Sequence, residues 1–345
     1  MLGSVAGRMT DRFGPRAVIS VGGCLLGIAM VAMAFVTQLW QPYVIYTGIA
    51  ALGMSAAYVP CNATVVRWFV ARRGLAVGLA MSGASAGTFA IPIVAQTLVD
   101  AVGWRAAYAV FGVAIAATLL VVSPVMRRDP ESVGLLPDGR PLLPHAPSVA
   151  DPGAWPLARA LRSRIFWILV ATFALTWVPV FIPLVHLVPF ARDLGHSPMT
   201  AAWVVSSLGA GAVAGRLVMG PLSDRVGRVP ALRVALVLQG AACLTFLAAH
   251  GVVTLIAAAV LYGYGYASVS TLFPPLVTDF FGRAHAGSIV GALFAIAGCV
   301  GGLGPWIGGA LYDATGSYTS TWILCALLNA AALGVFTTAR LPPRT

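Results

Sequence analysis

Apolar residues run along this chain in long blocks, without the strict alternation of a half-buried strand or the single apolar stripe of a soluble helix. A helix needs roughly 20 mostly apolar residues to cross a bilayer core. Ten blocks meet that length: 17–36, 41–66, 76–99, 104–126, 165–190, 199–222, 230–249, 252–276, 286–311 and 319–339. Hydrocarbon offers the backbone no hydrogen-bond partners, so blocks of this length are predicted to be helices. The expected class is an all-α polytopic membrane protein. One long polar stretch, 127–164, interrupts the pattern; its prolines at 130, 137, 141, 144, 147, 152 and 156 predict a linker without regular structure.

Composition agrees, since 59% of the 345 residues are hydrophobic and 9% charged, which excludes a water-soluble globule. The net charge of +11 would suit a nucleic-acid partner, but its placement argues otherwise. There is no lysine. When the loops are assigned to alternating sides, all of the 21 arginines except Arg105, Arg192 and Arg216 fall on one side. That asymmetry marks the cytoplasmic face and predicts a cytoplasmic C-terminus, so no nucleic acid is expected. Cys24, Cys61, Cys243, Cys299 and Cys325 lie in apolar blocks with no metal-ligand spacing and read as small core residues. The opening MLGSVAGRMTDR, apolar then charged, reverses a signal peptide and reads as the tail of a helix.

A repeat underlies the blocks. Asp11, Arg12 and Gly14 recur as Asp224, Arg225 and Gly227, a separation of 213 residues, and the same separation links Gly74 to Gly287, Pro92 to Pro305 and Gly103 to Gly316. Six spans per half return the chain to the same side, so the halves are parallel repeats. The first half then lacks one helix and most of another.

Two six-helix halves, a central linker, and the motif seen in Gly7, Asp11, Arg12, Gly14 and Arg16 and again in Gly220, Asp224, Arg225, Gly227 and Arg228 resemble the major facilitator superfamily over essentially the whole chain. The run RWFVARRGLAVGLAMSGASAG, containing Arg72 and Arg73, with the later GWRAAY and HLVPFARDLG, is similar to the monocarboxylate and oxalate/formate porter branch. The resemblance makes the spans family helices 3 to 12, with residues 1–7 the remainder of helix 2. It implies an N-terminal lobe at 1–126, a cytoplasmic linker at 127–164 and a C-terminal lobe at 165–345.

In the two DR motifs the aspartates can accept hydrogen bonds at a helix start, and the arginines can bind carboxylates or helix-terminal carbonyls across the lobe interface. The motifs read as a latch on the inward/outward equilibrium; a tight turn obeying the charge rule is the plainer alternative. Glycines crowd the spans 76–99, 199–222 and 286–311, consistent with sliding surfaces or with static close packing. Arg216 lies roughly 9 Å inside the end of its span, where a charge is costly unless it faces a cavity or a partner. Its repeat counterpart is Gly3, so the fold does not require arginine there. Snorkelling to the interface is one reading. The other follows from the resemblance, in which an arginine at this place binds the substrate carboxylate through its planar fork.

The resemblance also points to Tyr58 as facing the substrate path. Tyr266 is the choice among Tyr262, Tyr264 and Tyr266, which a helix sends in different directions, and Phe294 is a candidate apolar wall; ordinary packing is the alternative for each. The absence of a second cation disfavours dicarboxylates. An imidazole changes charge near neutral pH, which makes His186 a candidate for proton coupling, yet its place near the outer end of its span calls for no special role.

The expected activity is secondary transport of a small monocarboxylate across the inner membrane by alternating access, with protons as candidate co-substrate, lipid as environment, a monomeric chain and no cofactor. Other classes compete with this one. A truncated remnant or a membrane sensor is the main one. Gly83-Ala84-Ser85-Ala86-Gly87 fits G-x-S-x-G, but a nucleophile elbow needs a strand, turn and helix in a soluble sheet, so an intramembrane serine hydrolase is remote.

Overall fold

The computed structural model describes residues 2–69, 73–127, 129–130, 133–136, 138, 140–141, 155–282 and 286–339. Long apolar helices dominate, as their composition requires. Most of the block 17–36 lies in α1 (Leu2–Ala34), which turns sharply at Gly14 with φ 80° and ψ 160°. Residues ahead of that turn are therefore helical well past residue 7. The block 41–66 is assembled from α2 (Trp40–Val44), a π-helical stretch Ile45–Ala50, and α3 (Ala51–Trp68). Two further blocks share α4 (Arg73–Val122), which turns at Gly103. After α5 (Leu157–Leu161) come α6 (Arg164–Asp193), α7 (Pro198–Val226), α8 (Arg228–Thr245) and α9 (Val252–Phe281). The block 286–311 is not one helix. It breaks into α10 (Ala286–Gly301) and α11 (Gly304–Thr315), and α12 (Thr319–Thr337) follows.

The linker expected to lack regular structure has some: strands β1 (Leu135–Leu136) and β2 (Arg140–Pro141) pair antiparallel, and α5 starts directly after Pro156. The tight reversal is made possible by Asp138, a residue type that tolerates the left-handed region, at φ 64°. Proline is equally at home just ahead of a helix, so the linker prolines delimit short elements instead of forbidding them.

Among the described residues, eight helical segments are long and apolar enough to cross a membrane; one of these, Leu79–Val125, covers most of two of the expected spans. Their outer faces carry large exposed apolar side chains such as Val113, Val121 and Val253, a surface suited to lipid. The protein is a multi-pass helical membrane protein.

The chain forms two compact units: Met1–Met81 with Val94–Pro147, and Ser82–Ile93 with Ser148–Thr345. In the first, glycines let backbones approach. Gly53 of α3 lies on the Gly22 carbonyl of α1, and Gly27 and Gly112 bring α1 against the second part of α4. Polar ties add to this, with Ser20 Oγ 2.7 Å from Ser123 Oγ.

The second unit has two apolar cores. One gathers Phe166, Phe173, Phe273, Phe281 and Phe336 toward the linker end of the helices. The other gathers Leu208, Phe246, Tyr262 and Trp322 toward the opposite end. Ser85 is buried inside α4, within a helix and away from any strand-to-helix turn.

Tyr262 illustrates why one of the buried polar groups is there. Pro183 in α6 has no N–H, so the Pro179 carbonyl one turn earlier loses its helical donor. The Tyr262 hydroxyl supplies the replacement at 2.6 Å, fully buried. Tyr262→Phe is expected to lower the thermal midpoint, because an orphaned buried carbonyl costs about 1–3 kcal/mol. Tyr264→Phe, at a partly buried position, is the control; equal midpoints for the two variants would show that the hydroxyl contributes nothing.

Candidate substrate site and glycine turns

The closest helix pair in the second unit sets the position of Arg216. Gly211 and Gly215 of α7 face the Val260 and Tyr264 carbonyls of α9, and Gly263 of α9 faces the Leu208 carbonyl in return. At each of these positions a Cβ would collide with backbone, so the helices approach as nearly as backbones can. Arg216 follows Gly215 directly, and the contact brings its guanidinium beside the Tyr266 hydroxyl. The Arg216 side chain is half-buried, with Nε shielded from solvent. A cation and a phenol thus share one site, capable of presenting a planar fork and a hydroxyl to an anion.

Of the three tyrosines in YGYGYA, each has a different environment. Tyr262 is committed to Pro179, Tyr264 packs against the Phe173 core, and Tyr266 joins Arg216. Phe294 belongs to an aromatic cluster, with ring centroids 4.8 Å from Phe173 and 5.4 Å from Trp177. Gly209 packs against backbone at Phe89 of the Ser82–Ile93 segment. The side chains of Tyr58, Asp11 and Arg73 and the surroundings of Gly7 lie outside what the structure describes, as does Arg72 altogether.

The repeat is visible in backbone angles. Gly227 has φ 92° and ψ 148°, close to the values of Gly14 at the equivalent position. A side chain at such a φ is strained, which accounts for glycine at both turns. The arginines then diverge, because Pro15 sets Arg16 one residue further from its glycine than Arg228 is from Gly227. Arg16 Nε donates to the Met126 carbonyl at 2.9 Å, tying down a helix end. Arg228 instead pairs with Asp279 at 2.9 Å and with Asp224 at 3.4 Å. Both contacts lie inside their own unit. Arg12 rests on the Phe13 ring, 5.3 Å from its centroid, while Gly220, Asp224 and Arg225 sit at the end of α7.

Two participants escaped sequence reasoning. Asp279 was available as an acid just past the block 252–276, beside the arginine-rich side, but its partner lies 51 positions earlier and no local pattern joins them. Gly263 could be read as a small residue, though not as the mate of Leu208.

The Major Facilitator Superfamily profile matches residues 1–192 and again 178–345. The chain belongs to that superfamily. The double match agrees with the repeat seen in the two glycine turns. Monocarboxylate transporter 11 of Homo sapiens is 33% identical, the alignment covering 94% of this chain and 68% of the relative. Monocarboxylate transporter 13 of Bos taurus is 30% identical over 97% of this chain and 76% of its own. Monocarboxylate transporter 12-B of Danio rerio is 29% identical over 96% and 74%. The fold matches the crystal structure of the E. coli fucose:proton symporter with a TM-score of 0.65 at 17% identity, covering 98% of this chain and 87% of that one. The protein is a transporter and not an enzyme.

Proposed function

We propose that the protein carries a small monocarboxylate across the inner membrane by alternating access, with Arg216 as anchor for the carboxylate. The observation that carries this reading is Arg216 set beside Tyr266 by the glycine contact of α7 and α9. The planar fork of a guanidinium inside a span matches the two oxygens of a substrate carboxylate and offers it charge-assisted hydrogen bonds. Relatives named monocarboxylate transporters support the substrate class. Tyr58, Tyr266 and Phe294 complete the site in this proposal, one acid group and a short apolar remainder being what it accommodates. The DR turns act as the latch, and the C-terminus is cytoplasmic.

The test is uptake by proteoliposomes of a labelled panel: lactate, pyruvate, oxalate and the uncharged amide of lactate. The expected result is saturable uptake of lactate or pyruvate that the amide does not inhibit. Uptake of oxalate in preference to both would overturn the single-cation reading, and transport of the amide at the same rate would remove the carboxylate from recognition.

A further inference from the structure

His186 is not the wet interfacial residue its position in the sequence suggests. It sits in α6 two turns before the end of the helix, half-buried, with both ring nitrogens engaged. Nε2 lies 2.8 Å from the Pro305 carbonyl at the start of α11, just past the break that separates α10 from α11. A carbonyl only accepts, so Nε2 carries the proton. In the neutral ring Nδ1 is then an acceptor, and the Tyr318 hydroxyl, 3.2 Å away, donates to it. The ring has a seat made for it: a Cβ on Gly308 would lie 3.0 Å from both Cδ2 and Nε2. Imidazole therefore joins α6 to α11 on one side and to the turn before α12 on the other.

The surroundings lead outward to acids. Tyr318 is 6% exposed, and its ring centroid is 4.5 Å from that of Tyr312. The Tyr312 hydroxyl is within hydrogen-bonding reach of Asp193 at the exposed end of α6. Burial, then the charge of Asp193, pushes the Tyr318 hydroxyl up to about 12, so it keeps its proton and serves as a donor at neutral pH. Among described residues, Asp313 of α11 and Arg192 of α6 are the other charged groups here, both exposed. Cys299 of α10 and Cys325 of α12 are the thiols on the packed elements, Tyr262 of α9 is bound to Pro179, and α7 brings no titratable group to this end.

We propose that Nδ1 of His186 is a proton-binding site that switches the contact between α6 and the α11–α12 turn, and that turnover of the carrier responds to pH through it. A proton from water adds to Nδ1 and the ring becomes imidazolium, while the Nε2 bond to Pro305 persists. Nδ1 is now a donor, so the Tyr318 hydroxyl must rotate, accept from Nδ1 with its oxygen and turn its own proton away, toward the side of Tyr312 and Asp193. The contact has two hydrogen-bonding states where α6, α11 and the start of α12 meet, beside the break that precedes α11. The effect on turnover rests on the transporter reading; the switch itself does not.

Glutamine is the decisive substitution, because its amide N–H and carbonyl reproduce the donor and acceptor of the neutral ring without titrating. Purified wild type, His186→Gln and Tyr318→Phe are compared by thermal midpoint between about pH 5 and about pH 8, the range over which imidazole changes charge. Wild type is expected to show a pH-dependent midpoint, and His186→Gln to fold and lose at least half of that dependence. Tyr318→Phe, which removes the rotor and keeps the titrating ring, is expected to change its size. Identical pH profiles in all three overturn the proposal whether or not any carboxylate is transported. In proteoliposomes that take up labelled pyruvate, the pH dependence of uptake is expected to flatten in His186→Gln with exchange of pyruvate retained. An unchanged profile there removes the link to turnover.

Discussion

Arg216→Ala is expected to lower the initial rate of monocarboxylate uptake about 100-fold, because removing one partner of a desolvated charge pair costs about 2–5 kcal/mol. Arg216→Lys is expected to fall between alanine and wild type, losing about tenfold. The charge survives, but the ammonium cannot offer two parallel donors in the plane of a carboxylate. Initial rates at subsaturating substrate read the full loss, and binding to the purified carrier separates affinity from turnover. Both variants should fold as well as wild type, since Arg216 is half-buried and its helix is secured by Gly211 and Gly215. Wild-type uptake in the alanine variant would remove Arg216 from the substrate site.

The second large effect concerns the contact that positions that arginine. Gly211→Leu places a branched side chain where the Val260 carbonyl now lies, and backbone on the facing helix has no rotamer with which to yield. Overpacking commonly costs about 1–3 kcal/mol when side chains can shift. Here the two helices must separate, so the cost is expected at or above the top of that range. The measured outcome is a sharp drop in the yield of monodisperse protein on size exclusion, with a thermal midpoint far below wild type. Gly334→Leu is the control: nothing lies within 4 Å of a Cβ at that exposed position of α12, and it should be tolerated. A well-folded Gly211→Leu carrier would show that α7 and α9 can part, and would favour a sliding role for this glycine stripe over static packing. If such a variant also lost uptake, the separation of Arg216 from Tyr266 would be the natural cause.

Sequence reasoning reached the membrane class and the repeat because both are written in one dimension. Block length follows from bilayer thickness, and a duplicated motif keeps its offset whatever the helices do in space. The two turns show this well. Gly14 and Gly227 are demanded by local backbone geometry, so their conformations agree although their neighbours differ. The arginines beside them were legible as arginines, but their partners were not. Arg16 ends on a carbonyl 110 positions away, and Arg228 on a carboxylate of another helix.

The same division runs through the candidate site. The type and depth of Arg216 marked it as costly from sequence alone, since the price of a charge in hydrocarbon does not depend on the fold. Which of three closely spaced tyrosines would meet it depended on the rotation of α9 about its axis. That rotation is set by glycines on both helices and by the proline in α6 that claims Tyr262. His186 marks the limit most clearly. Its place near a helix end was plain, whereas its environment was created by a break between α10 and α11, a glycine that leaves room for its ring, and a tyrosine 132 positions away. Membrane residence, span order and the repeat follow from local free energies of transfer and backbone conformation, which act residue by residue. Partners depend on how helices rotate and approach one another, and that is decided only when all of their surfaces are packed at once.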